Sequence, residues 1–182
     1  MPEVLFLCTG NLCRSPSAAW FLAERIRKSG PDNMTVASAG TLGSVIGPPE
    51  ALLKEGAAFG LDLAGHVPRR MEAGDIRRAD LVIGMAREHV REAVLMDTES
   101  FGRSFTLREI VRRGHEVGPR SPDQTLDDWL MRLHGTRRHL DLIGTSGPDD
   151  IPDPMGGSSE GFRQMLTEVE ALTSALHSLF WT

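Results

Sequence analysis

The sequence predicts an α/β fold: a three-layer, doubly wound sheet of about four parallel strands with helices on both faces. Short apolar runs alternate with helix-type segments along the first half of the chain. The first apolar run leads into a loop of anion-binding type at the start of a helix. The composition, 182 residues with 40% hydrophobic and 25% charged side chains, is that of one ordinary globular domain, so we expect one domain over residues 1–182.

The individual elements follow from apolar spacing and from residues that begin or end helices. Pro16 suits a first helical position with Ser15 as N-cap, and Gly60 is expected to end a helix. The strands are predicted at residues 4–7, 34–37, 81–83 and 105–107, the second of them after a turn at 30–33. The helices are predicted at residues 16–28, 49–59, 86–96, 108–113, 126–142 and 159–179.

Charge and cysteine content exclude several classes of function. The net charge of −5 gives no long-range attraction to nucleic acid or to an anionic membrane, so neither is expected as a partner. The apolar run at residues 4–7 is too short for a signal peptide or a membrane span. Cys8 and Cys13 fit reactive thiols in the cytoplasm better than a secreted disulfide framework. Because no histidine pair at ligand spacing accompanies them, we predict no metal and no cofactor.

The segment after the first strand has the features of a phosphate-binding loop. Its backbone N–H groups and the following helix dipole can converge on an anion, and Arg14 can hold two phosphate oxygens at once. The same field favours the thiolate of Cys8, a nucleophile that would form a phosphocysteine intermediate, and Ser15 can donate a hydrogen bond to that thiolate. The predicted phosphate-binding residues are Thr9, Gly10, Asn11, Leu12, Cys13, Arg14 and Ser15.

Ester hydrolysis also requires an acid that protonates the leaving oxygen. Asp149, Asp150 and Asp153 share one loop late in the chain. Asp153 could instead cap a helix or a turn, and the residues alone do not choose among the three.

The segment from Val4 to Pro16 resembles the signature of the low-molecular-weight protein-tyrosine-phosphatase family. Residues 98–152 are longer than the usual family pattern. The resemblance implies one phosphatase domain with this extended segment, acting on a phosphoprotein or a small phosphoester with phosphate or another oxyanion in the loop. Further matches are Ser38-Ala39-Gly40-Thr41, the Gly47-Pro48-Pro49 turn, His66 before a basic pair, Asp80-Leu81-Val82-Ile83-x-Met85, and Asp153-Pro154.

The same resemblance assigns roles to individual residues. It implies that Asp153 is the general acid, and then the base toward water. It implies that Asn11, Ser38 and His66 hydrogen-bond one another and hold the loop in shape. Cys13 would trap oxidised Cys8 as a disulfide.

Three positions depart from the family pattern. Ser44 and Met155 stand where phosphotyrosine-specific members carry aromatic residues, although Leu12, Met155 or Trp129 could still contact an aryl ring. Leu12 stands where the arginine-phosphatase branch carries Thr, which argues against phosphoarginine. The alternatives to a tyrosine phosphatase are therefore a phosphoarginine phosphatase, an arsenate reductase that uses external thiols, and an inactive phosphate-binding module.

Overall fold

A computed structural model of the protein describes residues 1–29, 34–144 and 147–180. Four parallel strands form a sheet in the order β2-β1-β3-β4. The strands are β1 (Glu3–Cys8), β2 (Thr35–Gly40), β3 (Leu81–Gly84) and β4 (Ser104–Thr106). The predicted doubly wound α/β fold is confirmed, whereas the turn expected at residues 30–33 lies outside the described residues.

Helices follow the strands and cover the sheet. Among the described residues, none of them has the length and the apolar character needed to cross a membrane. The helices are α1 (Arg14–Ser29), α2 (Glu50–Gly56), α3 (Ala73–Arg78), α4 (Arg87–Met96), α5 (Leu107–Val117), α6 (Leu126–His134) and α7 (Ser159–Phe180), with 3₁₀ turns at Ala57–Phe59, Thr98–Arg103 and His139–Leu142.

The central strand β1 distributes its side chains to the two faces of the sheet. Val4 and Phe6 are fully buried in the larger core with α1, α5, α6 and α7. Leu5 and Leu7 point the other way and pack in a smaller core beside α3 and α4. Because successive strand residues alternate between faces, and each such side chain contributes about 1.5–3 kcal/mol when buried, β1 is fixed between two layers of helices.

Several predicted boundaries differ from the structure. Helix α1 begins at Arg14, so Ser15 is a helical residue and not the N-cap. The helix predicted at residues 126–142 ends at His134, because Gly135 has a φ of 49° that turns the chain away from the helix axis. Helix α3 was not predicted, and α5 continues to Val117, beyond the expected end at residue 113.

The end of the extended segment is fastened to the carboxyl edge of the sheet. The Ile151 N–H donates to the Met85 carbonyl, just beyond β3, at 2.8 Å. From α5, the Arg108 guanidinium donates to the carbonyls of Pro148 at 2.9 Å and Asp150 at 2.6 Å. These contacts bring the late aspartate loop beside the loop that follows β1.

Candidate active site

The loop between Cys8 and Arg14 joins the end of β1 to the start of α1. Cys8 is the last residue of β1 and Arg14 is the first residue of α1, so both are placed by regular elements. The chain after β2 packs directly on this loop, since Thr41 N–H donates to the Cys8 carbonyl at 2.9 Å. A Cβ at Gly40 would lie 2.7 Å from the Thr9 carbonyl oxygen, so this approach requires glycine.

Asn11 is the centre of the hydrogen bonds that shape the loop. It is fully buried and has a φ of 56°, a left-handed conformation that asparagine tolerates better than most residues. Its Nδ2 donates to Ser15 Oγ at 3.1 Å and to Ser38 Oγ at 2.9 Å, and its Oδ1 accepts from Arg69 N–H at 3.1 Å. His66 Nε2 lies 2.8 Å from the Asn11 carbonyl oxygen, to which it donates. The structure thus brings together Asn11, Ser38 and His66, the three residues expected to support the loop.

The Cys8 thiol lies at the base of the loop. Its Sγ is 2.9 Å from Ser15 Oγ, and the residue is only 3% exposed. Ser15 Oγ accepts from Asn11 Nδ2, and its O–H has two acceptors within reach, Cys8 Sγ at 2.9 Å and the Ala39 carbonyl at 3.4 Å. Such a donor stabilises a thiolate.

The Arg14 guanidinium lies over the same cavity and is held on several sides. Nη1 donates to the Ile151 carbonyl at 3.2 Å, while Nη2 donates to Asp153 Oδ2 at 2.5 Å and to Thr9 Oγ1 at 3.4 Å. The cavity is lined by Cys8, Gly10, Leu12, Cys13, Arg14, Asp153 and Met155.

The three candidate acids occupy different places. Asp149 pairs with Arg112 on α5 at 2.8 Å, on the outside of the loop. Asp150 accepts backbone N–H groups from Arg87 at 2.7 Å and Gly147 at 2.8 Å. Asp153 lines the cavity beside Arg14, so among these three it is the carboxylate within reach of a substrate on Cys8.

Cys13 lines the cavity with a buried thiol. Burial, followed by the neighbouring charges of Cys8 and Asp153, raises the pKa of Cys13 to about 12, although Arg14 acts in the opposite direction. Its Sγ lies 3.4 Å from Met155 Sδ, which joins the phosphate loop to the Asp153 loop. At neutral pH Cys13 is therefore a thiol.

Of the residues expected to contact an aryl ring, Leu12 and Met155 line the cavity. Trp129 does not contribute, because this residue of α6 is completely buried in the larger core, where its Nε1 donates to the Gly118 carbonyl at 3.0 Å. Ser44 hydrogen-bonds Ile46 within its own loop. Met155 is 44% exposed at the cavity mouth.

Sequence reasoning missed His89. This residue lies in the first turn of α4 and is 1% exposed, with Nε2 at 3.0 Å from Thr9 Oγ1. Since 80 positions separate the two residues, no local pattern signals the contact. No group of three His, Cys, Asp or Glu side chains in the described part of the chain is arranged to hold a metal ion.

Comparisons with known proteins agree with this geometry. A sequence model described as low molecular weight phosphotyrosine protein phosphatase matches residues 3–123. The low molecular weight protein-tyrosine-phosphatase Etp of Escherichia coli K12 is 34% identical over 104 residues, 57% of this chain and 67% of that protein. The low molecular weight protein-tyrosine-phosphatase of Streptomyces coelicolor is 30% identical over 180 residues, 96% of this chain and 90% of that protein.

A solved structure is similar over nearly the whole length. The YwlE arginine phosphatase from Geobacillus stearothermophilus is 27% identical, with a TM-score of 0.70, and the match covers 98% of this chain and 92% of that one. The family match includes β1 and the loop from Cys8 to Arg14, whereas Asp153 and Met155, which also line the cavity, lie beyond the matched residues. The chain belongs to the family of low molecular weight phosphotyrosine protein phosphatases.

Proposed function

We propose that this phosphatase hydrolyses phosphate monoesters through a phosphocysteine intermediate, with Cys8 as nucleophile, Arg14 as phosphate ligand and Asp153 as general acid. The observation that carries the proposal is that the Cys8 thiol, the Arg14 guanidinium and the Asp153 carboxyl line one cavity. These are the three groups that a double-displacement hydrolysis requires.

In the first step Cys8 Sγ attacks phosphorus. The S–P bond forms as the P–O bond to the leaving group breaks, and protonated Asp153 transfers its proton to the departing oxygen. The loop N–H groups and Arg14 hold the three remaining phosphate oxygens, where negative charge is concentrated.

In the second step water attacks the phosphocysteine. Asp153, now a carboxylate, accepts a proton from the water, and inorganic phosphate forms as the S–P bond breaks. The Ser15 hydroxyl, 2.9 Å from Cys8 Sγ, donates to the departing thiolate.

As substrate we propose phosphotyrosine in a protein, with its ring between Leu12 and Met155. The names of the relatives from Escherichia coli and Streptomyces coelicolor support this choice. Inorganic phosphate and related oxyanions are expected ligands of the same loop. We also propose a cytoplasmic location, where a reducing environment would preserve the free thiols of Cys8 and Cys13.

Phosphoarginine is the second candidate substrate. It is favoured by the likeness to the arginine phosphatase of Geobacillus stearothermophilus over nearly the whole chain, and by the absence of aromatic side chains from the cavity lining among the described residues. Against it stands Leu12, in place of the Thr that the resemblance associates with that branch.

A panel of phosphotyrosine, phosphoarginine and phosphoserine peptides, with arsenate reduction as a further assay, tests the substrate. We expect the highest kcat/KM on phosphotyrosine. A higher value on phosphoarginine would favour the second candidate. Thiol-dependent reduction of arsenate without ester hydrolysis would make the protein a reductase, and oxyanion binding without turnover would make it a binding module.

Three variants test the roles of the residues. Cys8→Ser should abolish turnover and retain oxyanion binding, and Arg14→Lys should lose most activity because the planar fork is lost while the charge remains. Asp153→Ala should slow phenolic esters by about 10²–10⁴, and esters with acidic leaving groups by less. Asp149→Ala is the matched control on the same loop. If this control, and not Asp153→Ala, shows the leaving-group dependence, the acid has been misassigned.

A further inference from the structure

His89 is a buried, titratable residue that the proposed mechanism does not use. Its Nδ1 accepts the Ala86 backbone N–H at 2.9 Å, so the ring proton is on Nε2. Nε2 lies 3.0 Å from Thr9 Oγ1 and is therefore the donor of that hydrogen bond. One ring thus connects the start of α4 to the phosphate loop.

The charge state of His89 suits a fixed donor. Burial, followed by the positive charge of Arg14, lowers the pKa of His89 to about 3. The half-exposed Glu88 carboxylate lies 3.6 Å from Nε2 of the ring. The imidazole therefore stays neutral at physiological pH and adds no positive charge to the site.

The Thr9 hydroxyl links His89 to Arg14 by hydrogen bonds. A hydroxyl oxygen has two lone pairs, and those of Thr9 Oγ1 face two donors, His89 Nε2 at 3.0 Å and Arg14 Nη2 at 3.4 Å. A guanidinium has five N–H donors, of which a phosphate held by its fork takes two. When Asp153 leaves Arg14 to act on the leaving group, Thr9 and the Ile151 carbonyl are the acceptors that keep the guanidinium in its plane.

We propose that Thr9 and His89 are positioning residues for the phosphate step, in which His89 fixes the Thr9 hydroxyl as an acceptor for Arg14 and so holds the guanidinium toward the phosphate. This inference rests on the proposed role of Arg14. The contact from α4 makes the orientation of Arg14 depend on a helix that does not line the cavity.

The experiment compares Thr9→Val, which removes the hydroxyl at nearly constant volume, with Thr9→Ser, which keeps it. His89→Leu removes the donor, and His115→Gln, on the exposed side of α5, is the matched histidine control. Three kinds of measurement are made on each variant. They give kcat and KM with an aryl phosphate, inhibition constants for vanadate and inorganic phosphate, and the melting temperature.

We expect Thr9→Val to lower kcat by about 10- to 100-fold, the usual effect of removing a partner from a charged hydrogen-bonding group. Vanadate, which imitates the transition state, should bind more weakly by a similar factor, while inorganic phosphate changes little. Thr9→Ser should restore most of the activity. Because His89 acts on Arg14 only through the Thr9 hydroxyl, the double variant His89→Leu/Thr9→Val should be no less active than Thr9→Val alone.

Two results would overturn the inference. One is a Thr9→Val enzyme with the kcat of the wild type. The other is a set of variants in which the affinities for phosphate and vanadate fall by equal factors and in proportion to the fall in melting temperature. His89→Leu is at risk of unfolding because it also loses the Ala86 contact, but Thr9→Val and Thr9→Ser decide the question without it. If the wild type and His115→Gln hydrolyse no phosphoester, the proposed function fails instead. If the wild type is active and Thr9→Val has the same kcat, the positioning role is refuted and the proposed function is not.

Discussion

Replacing Asn11 by alanine should destabilise the protein more than its position in a loop would suggest. The substitution removes hydrogen bonds to Ser15, Ser38 and Arg69, three in all, at about 1 kcal/mol each. Alanine must also adopt the left-handed φ of 56°, which costs about 1 kcal/mol more. We therefore expect the free energy of unfolding to fall by about 4 kcal/mol.

Urea unfolding of matched variants separates these contributions. Asn11→Gly loses the same three hydrogen bonds without the steric cost of the left-handed conformation, so it should be slightly more stable than Asn11→Ala. Ser38→Ala removes one of the bonds and should lose about 1 kcal/mol. In the Asn11→Ala background the same Ser38 change should have almost no effect, because its partner is already absent.

The same variants report on the loop as an anion site. Vanadate inhibition should weaken most in Asn11→Ala, because the backbone N–H groups no longer converge. If Asn11→Ala loses less than about 1 kcal/mol and still binds vanadate as the wild type does, these hydrogen bonds do not maintain the loop and the reasoning is refuted.

Three further predictions concern the wall, the thiols and acid stability. Met155→Tyr with Ser44→Trp should lower KM for aryl phosphates more than for alkyl phosphates, by about 0.5–1.5 kcal/mol per aromatic contact; equal effects on both classes would contradict it. Mild peroxide should produce a Cys8–Cys13 disulfide, and mass mapping that finds sulfinic acid at Cys8 with Cys13 free would remove the protective role. Burial alone would raise the pKa of Asp75, but hydrogen bonds from Arg69 and from the Glu72 backbone outweigh it and lower that pKa. The wild type should therefore have a larger free energy of unfolding than Asp75→Asn, with the full difference present above the ordinary pKa of 3.8. This difference should be lost as the pH falls through the lowered pKa, and urea unfolding at a series of pH values would test it.

The parts of the fold that could be predicted from sequence are those with strong periodicity. The apolar run of β1 and the spacing along α7 each mark a buried face, and both elements lie where they were expected. Helix α3 was missed because its six residues complete fewer than two turns. The helix predicted over residues 126–142 was too long: the apolar spacing that indicated it ends at Leu133, and Gly135 then turns the backbone away from the helix.

The site was predictable to the extent that it lies in one segment. Cys8, Arg14 and Ser15 are close in sequence, so their spacing around a strand-to-helix loop indicated phosphate chemistry. The contact between Arg14 and Asp153 spans 139 positions, and only the family resemblance selected Asp153 among its neighbours. His89 and the buried state of Trp129 depend on tertiary packing that no local pattern encodes.

The ion pair between Arg14 and Asp153 has a consequence for product release. In the proposed mechanism each turnover would leave inorganic phosphate in the loop, and its departure would uncover the Arg14 guanidinium, whose side chain is only 5% accessible to water. The Asp153 carboxylate, 2.5 Å from Nη2, can replace the departing oxygens as soon as they move. In the proposed mechanism Asp153 therefore competes with the product phosphate for Arg14, and we expect this competition to weaken product inhibition.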